Sequence, residues 1–355
     1  MNSHKNNQQS SIASGMSLYL DLIRFLAAMM VMVGHTWHLF RSGDPIKFPG
    51  HEAVVVFFVL SGYVIAHASS RPGVTLAVYA QHRMARILPV AWLALILAGT
   101  LAVMAPELNE ESGVVVPTLV NLVFLGQSGW GWMEAPLNSP YWSLNYEVWY
   151  YIIFGIWVFV RKHRGLWMCV ALLIAGPKIF MLLPIWLMGV VLYRRMPVLT
   201  HTVALFIFVL TLCLAMTMYW MDISELWRAW IYRALPPFWR AHYSSQLAYD
   251  VILGIVVTAN FAAISSLNVS LKKLRFIERP IRYLASFTLS LYVFHAPLTE
   301  LLVKVIRLEN PVLFYVVLAA SVFLLAELTE RRTKWYRGQI VRLWTGKGVV
   351  PVSAN

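Results

Sequence analysis

Long apolar runs separated by short polar turns organise the chain from residue 17 to residue 329. About 20 consecutive apolar residues are enough for a helix to cross the hydrocarbon core of a bilayer. Candidate stretches fall at 17–39, 52–69, 87–105, 143–161, 166–177, 179–193, 202–221, 247–267, 283–303 and 311–329. The fifth and sixth are short and share a Gly176-Pro177 break, which reads as one hairpin or as two tilted helices. Residues 114–126 form a further apolar patch, too short to span and suited to a re-entrant segment. The expected fold is therefore an all-α polytopic membrane protein with about ten transmembrane helices. Residues 1–16 are polar and read as a disordered tail, 17–330 as the transmembrane domain, and 331–355 as a basic tail. The first span holds Asp21 and Arg24 and is too long for a signal peptide. No internal repeat and no appended soluble domain is expected.

Composition agrees. The 355 residues are 59% hydrophobic and 13% charged, with a mean hydropathy of +0.64. A soluble domain is about 45–50% apolar and about 25% charged, so this chain has too little polar surface for a water-soluble body. The net charge of +13 would suit a nucleic-acid binder, but its distribution points elsewhere. With the N-terminus inside, 20 of the 29 Lys and Arg fall in cytoplasmic segments and 7 in outer ones. That asymmetry orients the protein with both termini in the cytoplasm and calls for no nucleic acid. Cys169 and Cys213 both lie in apolar runs, so neither a disulfide nor a redox compartment can be read from them.

Three polar residues stand where a bilayer disfavours them. Asp21, Arg24 and His35 lie in the first span, and a charge at mid-membrane costs roughly 2.5–3.5 kcal/mol on insertion scales. Arg24 and His35 are eleven residues apart, so both project from one helix face, about 16 Å apart along the axis. Asp21 can pair with Arg24 across one turn. The spacing alone is not specific: Arg71 and His82 repeat it, but in a loop broken by Pro72 and Gly73. The bland reading is a snorkelling ion pair and a packing histidine.

The context adds specificity. SLYLDLIRFLAAMMVMVGH (17–35) resembles the opening helix of the acyltransferase 3 family of polytopic membrane O-acyltransferases. VVVFFVLSGYVIA (54–66), HRMARILPVAW (82–92), YWSLNYEVWYYIIF (141–154) and TLSLYVFHAPL (288–298) are similar to further segments of that family, in order. Two departures are visible. The family often has two adjacent acids and a Gln in the fourth segment, whereas Glu147 here precedes Val148 and Trp149; and Leu22 stands where Gly is common. The chain looks like the family's stand-alone form.

The resemblance implies an acyl-CoA donor, with acetyl-CoA expected, bound at Arg24, and transfer at His35 to a carbohydrate or glycolipid acceptor on the outer side. Imidazole suits a general base because it titrates near neutral pH, and a guanidinium fork suits an anionic donor. Asp21 would orient Arg24. Arg83 and Arg86 would hold CoA phosphates, or else be ordinary positive-inside flanking charge. Glu147 would orient His35 or bind acceptor, or form a structural ion pair. Trp142 and Ser143 beside it would contact sugar. Thr288, Tyr292 and His295 share a helical face, making Tyr292 and His295 candidate substrate contacts, with helix packing the rival reading for His295. Ser61 and Gly62 read as helix-packing residues. Asp250, Asn260 and Lys178 have no assigned role. No nucleophile elbow, phosphate loop or His-Glu-x2-His motif is present, and no metal is implied. The expected location is the inner membrane of a bacterium. A rival reading is a transporter using Asp21, Arg24, Glu147 and His295 as a path, although the paired broken helices of many transporters are missing.

Overall fold

The computed structural model describes residues 2–44, 46–108, 113–129, 133–234, 246–267 and 275–345, with side chains from Gly15 onward and, in the last segment, from Ile277. Thirteen α-helices account for most of these, and none of the described residues forms a strand. They are α1 Asn2–Phe40, α2 Gly50–Ser69, α3 Leu76–Met104, α4 Val115–Leu122, α5 Trp142–Phe159, α6 Arg164–Arg194 and α7 His201–Trp220. After these come α8 Ile223–Ala234, α9 Leu247–Ser266, α10 Arg275–Ala285, α11 Thr288–Glu300, α12 Pro311–Leu328 and α13 Thr333–Thr345. Among the described residues seven helices are long and apolar enough to cross a membrane, or eight if the bent pair Ile277–Ala285 and Thr288–Val305 is one span.

The differences from the ten expected stretches have local causes. The two short stretches at 166–177 and 179–193 come as the single element α6, interrupted at Gly176 (φ 81°, ψ 177°). There the backbone of Gly129 packs so close that a Cβ on Gly176 would lie 2.3 Å from its carbonyl oxygen, while Gly129 N donates to the carbonyls of Ile174 and Ala175. The stretch at 143–161 is α5, whose 18 residues carry Ser143, Asn145, Glu147 and five tyrosine or tryptophan side chains among its first ten positions. It falls outside the seven for that reason. The stretch at 283–303 bends by 53° between α10 and α11. The patch at 114–126 yields only the eight-residue α4. The polar segment read as a disordered tail instead continues α1 back to Asn2, since a helix already nucleated extends at little free-energy cost.

α2 and α6 form the closest pair in the bundle. A Cβ on Gly62 would lie 2.0 Å from Trp186 O, and one on Gly189 1.9 Å from Val59 O. Small residues let two backbones approach in this way. Gly189→Ala should therefore force the helices apart and destabilise the protein by the upper end of the about 1–3 kcal/mol typical of overpacking, because the atom met is backbone. Thermal unfolding in detergent measures this, and an unchanged midpoint would contradict the packing described.

The segment before α5 is folded inward rather than laid over the surface. Pro297 has no amide to give to Val293 O, and Asn138 Nδ2 donates to that carbonyl at 3.1 Å. Asn138 and Tyr141 are fully buried as a result. α5 thus begins deep, which sets the depth of every polar side chain it carries.

Candidate active site

Two cavities meet at Arg24 of α1 and Arg86 of α3. The wider is a vestibule of about 300 Å³ whose wall also includes Asp21, Arg282, Ser286, Glu330 and Thr333. The narrower, about 80 Å³, runs from Arg24, Arg83 and Arg86 past Ser61, Glu147 and Tyr151 to Phe57, Ser143 and Tyr292.

Four cations thus surround the junction. Asp21 bridges two of them, contacting Arg24 Nη1 at 3.5 Å and Arg282 Nη1 at 3.1 Å. Its expected partner Arg24 is therefore the more distant one. Glu330 is buried and accepts from Ser290 N at 2.9 Å, Ser290 Oγ at 3.1 Å and Leu289 N at 3.4 Å. It caps α11, where unsatisfied amides and the positive helix end favour a carboxylate. Arg83 faces the ring of Tyr151 at 5.8 Å, and its Nε is buried without a hydrogen-bond partner. The net positive charge left over suits an anionic ligand.

Glu147 is a correction to the sequence reading. It does not orient His35: its Oε1 accepts from Ser61 Oγ at 2.7 Å and, through a short contact, from Tyr151 OH. The inward-folded loop lowers α5, so Glu147 sits beside Ser61 in the narrow cavity rather than near its far end. Ser61 does more than pack, because it also accepts from Trp186 Nε1 at 3.2 Å and lines the cavity. Trp142 packs edge-on against Tyr146 (5.2 Å) and Phe58 (6.5 Å). Ser143 and Tyr292 hydrogen-bond each other at 2.6 Å, and Tyr292 OH donates to Pro140 O at 2.9 Å. Both line the cavity at its end farthest from the vestibule, where the Tyr292 ring also meets Phe57 at 5.6 Å.

Beyond that end stand two histidines. The Tyr292 ring lies 6.4 Å from that of His295, and His295 Nε2 is 2.9 Å from Nδ1 of His35. The two ring planes are 12° from parallel with centroids 5.2 Å apart. His295 is fully buried, its Nδ1 lying 3.1 Å from Leu291 O, whereas His35 is exposed. His295 does not line either cavity, so its expected role as a substrate contact is corrected: both ring nitrogens are already engaged. Arg24 and His35 lie on the unbroken α1, about 16 Å apart by its rise.

The sequence reading missed Arg282 and Glu330. Arg282 had been counted among flanking positive charges, and Glu330 follows the last apolar run, where an acid looks like an ordinary helix boundary. Asp250, without a role before, pairs with His51 at 2.6 Å, and Asn260 bonds Tyr19 and Thr211. Among the described residues no group of three or more His, Cys, Asp or Glu is placed to hold a metal ion.

These features define a multi-helix, membrane-type protein with a basic vestibule, an adjoining narrow cavity that holds Ser61 and Glu147, and a histidine pair beyond its end. The family model described as an acyltransferase domain matches residues 17–331, and the chain belongs to that family, acyltransferase 3. Acyltransferase MdmB of Streptomyces mycarofaciens is 35% identical over 130 residues, 34% of this chain and 33% of that protein. Exopolysaccharide production protein ExoZ of Rhizobium meliloti is 34% identical over 136 residues, 36% and 41% of the two chains. The O-acetyl transferase of Shigella phage Sf6 is 30% identical over 150 residues, 38% and 44%. Each match spans less than half of the relative's length. No solved structure matches the chain. The transporter reading gains no support from this membership.

Proposed function

We propose that the protein is an integral membrane O-acyltransferase that moves an acetyl group from cytoplasmic acetyl-CoA to a hydroxyl of an envelope or exported carbohydrate. The observation that carries this is the pair of adjoining cavities, from a vestibule with three arginines to a narrow cavity that ends at Ser143 and Tyr292, next to the His295–His35 pair. Arg24, Arg86 and Arg282 hold the phosphates of the nucleotide. The pantetheine arm threads past Ser61 and Glu147 and delivers the thioester toward Tyr292. A bare His35 nitrogen takes the proton of the acceptor hydroxyl as its oxygen bonds to the thioester carbon; the C–S bond breaks and the leaving thiolate takes that proton.

The printed names of two relatives, an exopolysaccharide production protein and an O-acetyl transferase, favour a carbohydrate acceptor. The bacterial or phage origin of the relatives favours a bacterial inner membrane. Cytoplasmic termini and ten spans follow if each half of α6 crosses separately and α5 and α11 each count as one; the Lys and Arg asymmetry supports that orientation.

Mass spectrometry of envelope glycans from cells with and without the protein tests the reading. Acetyl esters that appear only with the protein are expected, and identical glycans would overturn it. At the donor end, Arg282→Gln should weaken CoA binding about tenfold, the size of one lost charge-assisted hydrogen bond. Calorimetric titration of CoA measures it, and native affinity in this variant would remove Arg282 from the donor site.

A further inference from the structure

His295 is fully buried, yet it makes its two hydrogen bonds to a backbone carbonyl and to the exposed His35. The chemistry of those partners fixes where the protons are. Leu291 O can only accept, so His295 Nδ1, 3.1 Å away, carries a hydrogen. A neutral His295 then has a lone pair on Nε2, so the 2.9 Å contact requires the hydrogen on His35 Nδ1. The Nε2 of His35 is left bare. The opposite arrangement needs a doubly protonated His295 donating to His35. That would place a cation in a fully buried site, where its described hydrogen-bond partners are an imidazole and a backbone carbonyl and no carboxylate accepts from it.

We propose that His295 is a positioning residue that fixes the tautomer of His35, turning a bare Nε2 toward the acceptor hydroxyl. The inference rests on the reading of His35 as the base. It also explains why Glu147 is free to serve the narrow cavity: the partner of this base is an imidazole and not a carboxylate. When His35 Nε2 takes the hydroxyl proton, the new imidazolium keeps its Nδ1–H on His295 Nε2. That neutral acceptor spreads the charge, and it is released when the CoA thiolate takes the proton. A carboxylate in the same position would hold the imidazolium more tightly and slow this return.

The test uses the full-length protein in lipid with ¹⁵N-labelled imidazole rings, comparing native, His295→Gln and His295→Phe forms. The His35 signals are assigned by their loss in His35→Asn. The native spectrum should show His35 protonated on Nδ1 and bare on Nε2. His295→Gln presents an amide oxygen to His35 Nδ1 and should keep that tautomer; His295→Phe should lose it. Acetate on envelope glycans should fall on the order of 10²-fold in the Phe variant, the low end of a general base's contribution, and less in the Gln variant. A native His35 protonated on Nε2, or an unchanged tautomer in His295→Phe, overturns the proposal. If the native protein adds no acetate, the acyltransferase reading fails, while the ring spectra still decide the role of His295.

Discussion

Replacing His35 by Ala should abolish acyl transfer while leaving the protein folded and able to bind CoA. The general base of such a reaction contributes about 10²–10⁴-fold to the rate, and no second imidazole stands ready to replace it, since His295 is fully buried and lines neither cavity. Removing the exposed His35 ring takes a polar group out of an apolar helix, which by itself favours the membrane-inserted form. It also strips His295 Nε2 of its partner inside a buried site, a loss of about 1–3 kcal/mol for an unsatisfied polar group. A modest fall in the thermal midpoint with a complete loss of glycan acetylation is therefore expected. CoA titration should give native affinity, because the arginines lie at the other end of the helix. Acetylation at the native level in a folded His35→Ala protein would end the assignment of His35 as base.

The fold was legible in the sequence wherever a span declared itself by apolar length. α2, α7 and α9 fall close to the expected stretches because each is a single continuous apolar run. Legibility failed where tertiary contacts decide. The α6 break is legible in the Gly176-Pro177 pair, but no property of residues 166–193 alone reveals the Gly129 backbone that lies against it. The depth of α5 depends on Pro297 freeing a carbonyl that Asn138 then occupies, a contact across 155 residues. That single displacement explains why Glu147 was expected beside His35 and is found beside Ser61.

The candidate site divides the same way. Arg24 and His35 were readable because a charge and an imidazole on one apolar helix face need a reason to be there. Arg83 and Arg86 were readable only as candidates, since cytoplasmic flanks are basic in any membrane protein, and the cavity distinguishes them. Arg282 and Glu330 come from segments that meet at the N-terminal end of α11, and the fold alone brings them to Arg24. The pairing of His35 with His295 spans 260 residues. Their segments both belong to the family pattern, but no spacing rule joins them.

Arg24→Lys should separate donor binding from chemistry. Arg24 borders both cavities and, among the described residues, has only Asp21 at 3.5 Å as a salt-bridge partner, which leaves most of its guanidinium fork for a ligand. Lys keeps the charge but loses the paired, fixed donors that match a phosphate. The loss of one to two charge-assisted hydrogen bonds corresponds to about 10–100-fold in CoA affinity. His35→Ala, about 16 Å away along the helix, should leave that affinity within twofold or so, since in the proposed arrangement the acyl end, and not the nucleotide, reaches the histidine. Arg24→Lys protein supplied with saturating acetyl-CoA should in turn recover most of its transfer rate, whereas no concentration of donor should rescue His35→Ala. Calorimetric titration of CoA into both variants, followed by transfer assays across donor concentration, tests the two ends together. Equal loss of CoA affinity in the two variants, or loss in the His35 variant alone, would dissolve the two-ended arrangement and leave Arg24 as a structural partner of Asp21.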